Sequence, residues 1–180
     1  MRYNLALLPQ THARDFINLA APFKKQADYL LGDHSNPHIT LVQFRVADDY
    51  QIGELWEDAL KIKNALSLNE LDIHFTQVNT RLKGNHVWLE LLVENTHSCQ
   101  KFHEALVNLL KQRNISCLTA SFDQYMPHLT LARTTDVSVI DDFRTIKINQ
   151  HDVFYLALGV SDEIGQLVSV LRACVYTARD

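Results

Sequence analysis

The sequence predicts an α+β fold made of two halves of similar plan, each an antiparallel-rich sheet flanked by helices. Two observations lead to this prediction. The apolar pattern predicts the element order β-α-β-α-β followed by β-α-β-α-β-β. The phrase Pro-His-aliphatic-Thr-Leu also occurs twice, at 37–41 and at 127–131, each time on a strand that follows a long helix and a loop. Because the two phrases lie half the chain apart, they indicate pseudo-two-fold symmetry or an ancient duplication.

The first half contains three predicted strands and two predicted helices. In order the elements are strand 3–8, a helix from Thr11 to about Leu31, loop 32–37, strand 38–46, helix 48–66 and strand 71–78. Thr11 is a candidate N-cap for the first helix, and Pro22 in the middle of that helix predicts a kink or break.

The second half repeats this plan with one additional strand. In order the predicted elements are strand 87–93, a helix from Asn95 or Thr96 to about Gln112, strand 127–133, a short helix at 137–143, and strands 153–160 and 166–176. Gly84 marks a turn between strands 71–78 and 87–93, which are expected to form a hairpin, and Gly165 supports a turn between the last two strands. No Gly/Ser-rich linker separates the halves. Residues 1–180 are therefore expected to form one domain with two lobes.

The composition narrows the class of protein. The apolar fraction of 47%, with 5 Gly and 4 Pro, is ordinary for a globular chain with a sizeable core. A net charge of −4 argues against a long DNA or RNA footprint, which needs a basic stripe, so a phosphate ligand is expected to be small or bound locally. Three widely spaced cysteines fit a reducing compartment, and no apolar run is long enough for a signal peptide or a transmembrane helix. We expect a cytoplasmic monomer.

Each repeated phrase presents an imidazole and a hydroxyl from one face of a strand. Side chains two residues apart share a face, so His38 is paired with Thr40 and His128 with Thr130. Two histidines facing one phosphate can divide acid and base work, because the ordinary imidazole pKa lies near neutrality. The threonine hydroxyls can hydrogen-bond the non-bridging oxygens. This chemistry requires neither a metal nor a cofactor, and none is expected.

A third His-x-Thr triplet, His74-Phe75-Thr76, is expected to be unrelated to this site. It lacks the preceding proline and the following leucine, and it has no counterpart half a chain away. A single triplet is weak evidence, so the inference depends on the matched pair of phrases. The alternative for that pair is two structural histidines at the beginnings of strands.

The paired phrases resemble the two His-x-Thr/Ser motifs of the 2H phosphoesterase superfamily, and in particular its 2′-5′ RNA ligase and cyclic phosphodiesterase branch. P-H-L-T-L-A-R, ending at Arg133, is similar to the second motif of that branch. H-I-T-L-V-Q-F is similar to the first, with one more residue before the Phe. The resemblance implies a bilobal fold with a central cleft and metal-independent catalysis. It also implies that His38 and His128 are catalytic and that Thr40 and Thr130 bind the phosphate.

Several residues near the motifs are weaker candidates. Arg133 matches the family-like motif, but strict alternation puts it on the face opposite His128, so it needs a strand end or a bulge to reach substrate. Tyr125 can stack on a base or pack in the core. Trp88 is expected to cover a helix, with lining of the cleft as the alternative. Arg81 and Lys83 lie by a turn, where charges are usually solvated.

A possible metal pair lies on the predicted helix that ends near Gln112. Cys99 and His103 are four residues apart and so share one face of that helix. Two ligands do not make a zinc site, and an ordinary helix face is the expected interpretation.

The function predicted from these observations is a metal-independent phosphodiesterase. Its substrates would be 2′,3′-cyclic phosphates, 2′-5′-linked nucleotides or RNA ends that carry such groups. Three alternatives stay open at this point: RNA-end ligation at the same site, a module that binds nucleotides or RNA ends without turnover, and a metal-dependent hydrolase. The two histidines have no assigned roles as acid and base, because the predicted site is nearly symmetric.

Overall fold

The computed structural model describes residues 1–68, 71–119 and 122–174. Four α-helices and eight strands form within these ranges. The strands are β1 (Arg2–Pro9), β2 (Ala27–Leu30), β3 (Ile39–Phe44), β4 (Leu71–Lys83), β5 (His86–Val93), β6 (His128–Thr134), β7 (Gln150–Ser161) and β8 (Leu167–Ala173). The α-helices are α1 (Ala13–Ala20), α2 (Tyr50–Ala65), α3 (His97–Gln112) and α4 (Val139–Arg144), and short 3-10 turns form at Ala21–Phe23 and Phe122–Gln124.

The strands pair antiparallel throughout and form one sheet in the order β1-β3-β6-β5-β4-β7-β8. β7 is long enough to serve both lobes: its first part pairs with β4, and its second part pairs with β1. β2 pairs with the end of β6. β3 pairs with the start of β6 through a single residue pair, Ile39 and Leu129. The two lobes are therefore continuous, and they meet where β3 approaches β6.

Strand β1 has buried side chains on both of its faces. On β1, Tyr3, Leu5 and Leu7 belong to the main cluster of buried side chains, whereas the intervening Ala6 and Leu8 pack beneath the hairpin of β7 and β8. This alternation is typical of a strand covered on both faces. α3 packs on β3 and against α2, so the first repeated strand is covered by a helix on the side away from its histidine.

The structure confirms the predicted α+β architecture and most of its elements, including the hairpin at Gly84 and the turn at Gly165. The helix predicted from Thr11 to Leu31 is wrong beyond Ala20. The chain makes a 3-10 turn through Pro22 and then forms β2, whose Tyr29 and Leu30 pair with β6. Residues 175 and 176, included in the last predicted strand, lie outside the described residues.

Among the helices of the described ranges, none has both the length and the apolar character needed to cross a bilayer.

Candidate active site

The two repeated phrases lie side by side in the sheet. β3 and β6 meet at Ile39 and Leu129, the residues between the histidine and the threonine of each phrase, and both side chains are fully buried. The residues on either side of them therefore point to the opposite face. Antiparallel strands are related by a local two-fold axis, so pairing at the central residue places each histidine beside the threonine of the other phrase. We call this group the motif quartet: His38, Thr40, His128 and Thr130.

Each phrase also carries a β-bulge at its leucine. Leu41 has no cross-strand partner on β1, because its two neighbours in β3 pair with consecutive residues of that strand. Leu131 of β6 is skipped in the same way opposite β5. A bulge shifts the alternation of side chains by one residue. Gln43 and Arg133, each three residues after a motif threonine, therefore return to the face that carries the quartet.

His38 is a buried imidazole with a defined tautomer. Its Nδ1–H donates to the carbonyl oxygen of Asn36 at 2.8 Å, which leaves Nε2 as the nitrogen able to face a substrate. Burial lowers the pKa of His38 to about 4. The hydrogen bond to Asn36 raises this pKa, the nearby charge of His128 lowers it, and Asp162 raises it, but all three effects are smaller than that of burial. His38 is therefore neutral at neutral pH.

His128 has the same backbone partner but a different environment. Its Nδ1–H donates to the carbonyl oxygen of Met126 at 2.7 Å, the same i−2 arrangement as in His38. Its side chain is 28% exposed, and its Nε2 lies 3.4 Å from Oε1 of Glu90. That carboxylate is itself buried and also binds Arg81. The quartet is thus symmetric in its backbone but asymmetric in its charges.

A cavity of about 230 Å³ opens over the quartet. Gly165, in the turn between β7 and β8, forms one wall, and its carbonyl oxygen accepts hydrogen bonds from Gln43 Nε2 at 2.6 Å and from Asn4 Nδ2 at 3.2 Å. A side chain at Gly165 would overlap Gln43, and its φ of +96° favours glycine. Leu118, which lies between α3 and β6, lines the cavity as well. The cavity is large enough for a phosphate and part of a nucleotide.

The model of one protein family, the 2′-5′ RNA ligase superfamily, matches residues 9–155 of the chain. The chain belongs to this superfamily. Membership of this superfamily of phosphoesterases and ligases makes the protein a phosphoesterase-type enzyme. No curated protein sequence matches the chain with significance.

Several solved structures share the superfamily fold. E. coli LigT complexed with NADP+ is 15% identical, with a TM-score of 0.59 and 96% of each chain covered. Kluyveromyces marxianus Usb1 with uridine monophosphate is 13% identical, with a TM-score of 0.57, 94% of this chain and 97% of that chain covered. The MHV ns2 PDE domain is 19% identical, with a TM-score of 0.55, 88% of this chain and 96% of that chain covered. At these identities the likeness establishes the fold alone.

The two predicted substrate-binding residues outside the quartet do not line the cavity. The bulge brings Arg133 to the correct face, but both Nε and Nη2 donate to the Asp28 carboxylate at 3.0 Å, and the side chain does not line the cavity. Tyr125 is buried; its hydroxyl donates to the Thr40 carbonyl at 2.8 Å, and its ring stacks on His103. Of the two alternatives for Tyr125, this placement agrees with packing in the core, where the residue supports the main chain of β3.

Three residues of the β4–β5 hairpin are closer to the site than the sequence indicated. Trp88, expected to cover a helix, lines the cavity, and so do Arg81 and Lys83. Glu90 was missed as a candidate. A charged residue inside the apolar run V-W-L-E-L-L is a detectable signal, since an acidic side chain in a strand buried on both faces needs a specific partner.

The remaining candidates lie outside the cavity. His74 is on the solvent-facing side of β4, where its Nε2 lies 3.2 Å from Asp72 Oδ2 and its ring stacks on His151. Cys99 and His103 are both buried in the helix face that packs on β3, and Nδ1–H of His103 donates to the Leu41 carbonyl. Across the residues that the structure describes, no group of three or more His, Cys, Asp or Glu is arranged to hold a metal ion.

Proposed function

We propose that the protein is a phosphodiesterase that cleaves 2′,3′-cyclic phosphates or 2′-5′ linkages in small nucleotides or at RNA ends, using His38 and His128 as acid and base. The observation that carries the proposal is the motif quartet at the floor of a cavity, with an imidazole beside a hydroxyl on each of two strands. Membership of the superfamily supports it, and so do the nucleotides in the relatives, NADP+ in LigT and uridine monophosphate in Usb1.

In the proposed mechanism His38 is the base. Its pKa of about 4 keeps it neutral at pH 7, and its Nδ1–H is held by a main-chain carbonyl, so the lone pair of Nε2 is available to take a proton from water. The water oxygen attacks phosphorus in line with the leaving 2′ or 3′ oxygen. One P–O bond forms while the opposite one breaks, and a cyclic phosphate is converted into a phosphomonoester.

His128 is the acid in the same mechanism. Its Nδ1–H donates to the Met126 carbonyl, and its Nε2 lies 3.4 Å from a carboxylate oxygen of Glu90, an acceptor that can orient an Nε2–H. Nε2–H then protonates the leaving oxygen, which restores a hydroxyl. The hydroxyls of Thr40 and Thr130 donate to the non-bridging oxygens, where negative charge is concentrated. Ligation would use the same groups in reverse.

The test is a turnover assay with nucleoside 2′,3′-cyclic phosphates and 2′-5′-linked dinucleotides, each with and without EDTA. We expect His38→Ala and His128→Ala to lower kcat by at least about 100-fold. The matched control is His74→Ala, which removes the histidine of the third His-x-Thr triplet and should leave kcat unchanged. Full activity in either quartet variant would remove that histidine from the chemistry, and loss of activity in EDTA would contradict a metal-free reaction. Tight binding without turnover would favour a nucleotide-binding module.

A further inference from the structure

Arg81 is held in place more firmly than a surface arginine. Its Nε and Nη2 donate to Oε1 of Glu90 at 2.9 and 2.5 Å, and its guanidinium lies 5.7 Å from the centre of the Trp88 ring. Glu90 and Trp88 are both buried, and the second carboxylate oxygen of Glu90 accepts from Asn79. Two buried residues therefore fix the position of a cation whose own side chain is 45% exposed.

The need to pair the Glu90 carboxylate explains why Arg81 is held in place, but it does not explain why the Arg81 side chain remains exposed. A buried carboxylate needs charged and hydrogen-bonding partners, which the Nε–Nη2 edge of Arg81 supplies together with Asn79. Arg81 nevertheless lines the cavity, so its Nη1 side stays available to a ligand. An arginine fixed along one edge and open along the other is suited to an anion, because little side-chain entropy is lost when the anion binds.

Lys83 adds a second positive charge on the same face of β4. It follows Arg81 by two residues, which is about 6.7 Å along a strand, and it also lines the cavity. Its side chain is exposed and makes no ion pair with any residue that the structure describes. Thr130 pairs with Glu90, which in turn pairs with Asn79 of β4. Arg81 and Lys83 follow Asn79 along β4, so they lie progressively farther from Thr130 and nearer the turn of the β4–β5 hairpin.

Two cationic side chains thus line the cavity although the chain has a net charge of −4. Arg81 and Lys83 line it, and within the described ranges no acidic residue does. A cyclic phosphate diester carries one negative charge, which the quartet already meets with two hydroxyls and two imidazoles. Lys83 and the edge of Arg81 that does not contact Glu90 lie to one side of the quartet, and a single phosphate does not require them.

We infer that Arg81 and Lys83 form a second phosphate subsite, so that the preferred substrates are nucleotides carrying a further phosphate next to the reacting one, such as a 5′-phosphorylated 2′,3′-cyclic nucleotide. The inference rests on the proposed function for the identity of the first phosphate. The pair lies to one side of the quartet along β4, so a second phosphate of the same nucleotide, rather than the reacting one, would meet it. A nucleoside cyclic phosphate without the second group would leave both cations unused.

Binding of reaction products tests the subsite without requiring turnover. We would measure the Kd of adenosine 3′-monophosphate and of adenosine 3′,5′-bisphosphate by calorimetry at low salt. We expect the 5′-phosphate to strengthen binding by about tenfold or more in the wild type, with a steeper dependence on salt. The gain should fall to about two- or threefold in Lys83→Gln, which leaves the contacts of Glu90 intact.

Two further variants complete the experiment. Arg81→Gln combined with Glu90→Gln removes the cation without leaving a buried carboxylate unpaired, and it should also abolish the gain. Arg144→Gln is the control, because Arg144 is exposed on the opposite face of β4, where it donates to Thr80. Equal Kd values for the two nucleotides in the wild type would overturn the subsite. So would a gain that persists in both test variants, or a loss in the double variant that is equal for both nucleotides.

The turnover assay separates this inference from the proposed function. Preference for the bisphosphate without turnover of any cyclic nucleotide supports the subsite and refutes the enzyme. Turnover of 2′,3′-cyclic AMP and of its 5′-phosphorylated form with equal kcat/KM would support the proposed phosphodiesterase activity and refute the subsite.

Discussion

Acidification should destabilise the folded protein through His38. Burial lowers the pKa of His38 to about 4, whereas the imidazole in the unfolded chain has a pKa of about 6.5. As the pH falls below about 6.5, the unfolded chain binds a proton that the folded protein does not, so the free energy of unfolding decreases until the pH reaches about 4. A difference of one in pKa corresponds to about 1.4 kcal/mol, so the total loss is about 3 kcal/mol.

The substitution His38→Asn isolates this contribution. The asparagine amide can replace Nδ1–H as the donor to the Asn36 carbonyl, but it does not titrate. Urea unfolding at pH 7 and at pH 4 should show the wild type losing about 3 kcal/mol more than the variant, which corresponds to about 6–12 °C in Tm for a chain of this size. His97→Asn, at the exposed start of α3, is the matched control and should retain the wild-type pH dependence.

Equal losses in the wild type and in His38→Asn would refute the reasoning. That result would mean that the His38 imidazole accepts a proton in the folded protein as readily as in the unfolded chain, and hence that it is hydrated. A lower stability of the variant at pH 7 does not affect the comparison, because the quantity compared is the change between the two pH values.

Four further predictions concern the quartet and two glycines of the fold. The lowered pKa of His38 places the acid limb of the kcat/KM profile for a cyclic phosphate near pH 4, and an acid limb near pH 6.5 would exclude His38 as the base. Thr40→Val or Thr130→Val should lower kcat by about 100-fold while Tm changes little, as steady-state kinetics and thermal melts would show. Gly159→Ala should destabilise the protein by about 3 kcal/mol or more in urea unfolding, since the new methyl would overlap a main-chain carbonyl of β8. Gly53→Ala, in the first turn of α2, where the new methyl would make only an ordinary contact with Arg172, should instead stabilise it by about 0.5–1 kcal/mol.

The quartet could be predicted from the sequence because period-two alternation is local. Once 38–41 and 128–131 are recognised as strands, the faces of their side chains follow without knowledge of the rest of the fold. Matching of the two phrases then predicts that they face a common site. The hydrogen-bond acceptor of His38 Nδ1–H is also close in sequence, because it is the carbonyl of Asn36, two residues earlier in the chain.

Features that depend on pairing between distant strands could not be predicted. The bulges at Leu41 and Leu131 arise only when β1 and β5 are in register, and they decide that Arg133 shares a face with His128. Strand β2 was hidden because Ala27, Leu30 and Leu31 fit helical spacing as well as they fit a short strand. Ala27–Leu30 forms a strand because it pairs with the edge of β6, which would otherwise be free.

The groups that orient the two imidazoles are main-chain carbonyls, those of Asn36 and Met126. In many acid–base sites a carboxylate side chain holds the imidazole, and a single codon change can remove it. Here no codon change can remove the acceptor, since every residue type carries the same carbonyl. A saturation screen for inactive variants would therefore recover the two histidines and residues that set the local backbone conformation, such as Pro37 and Pro127. It would not identify the acceptors that orient the imidazoles, because no substitution removes a main-chain carbonyl.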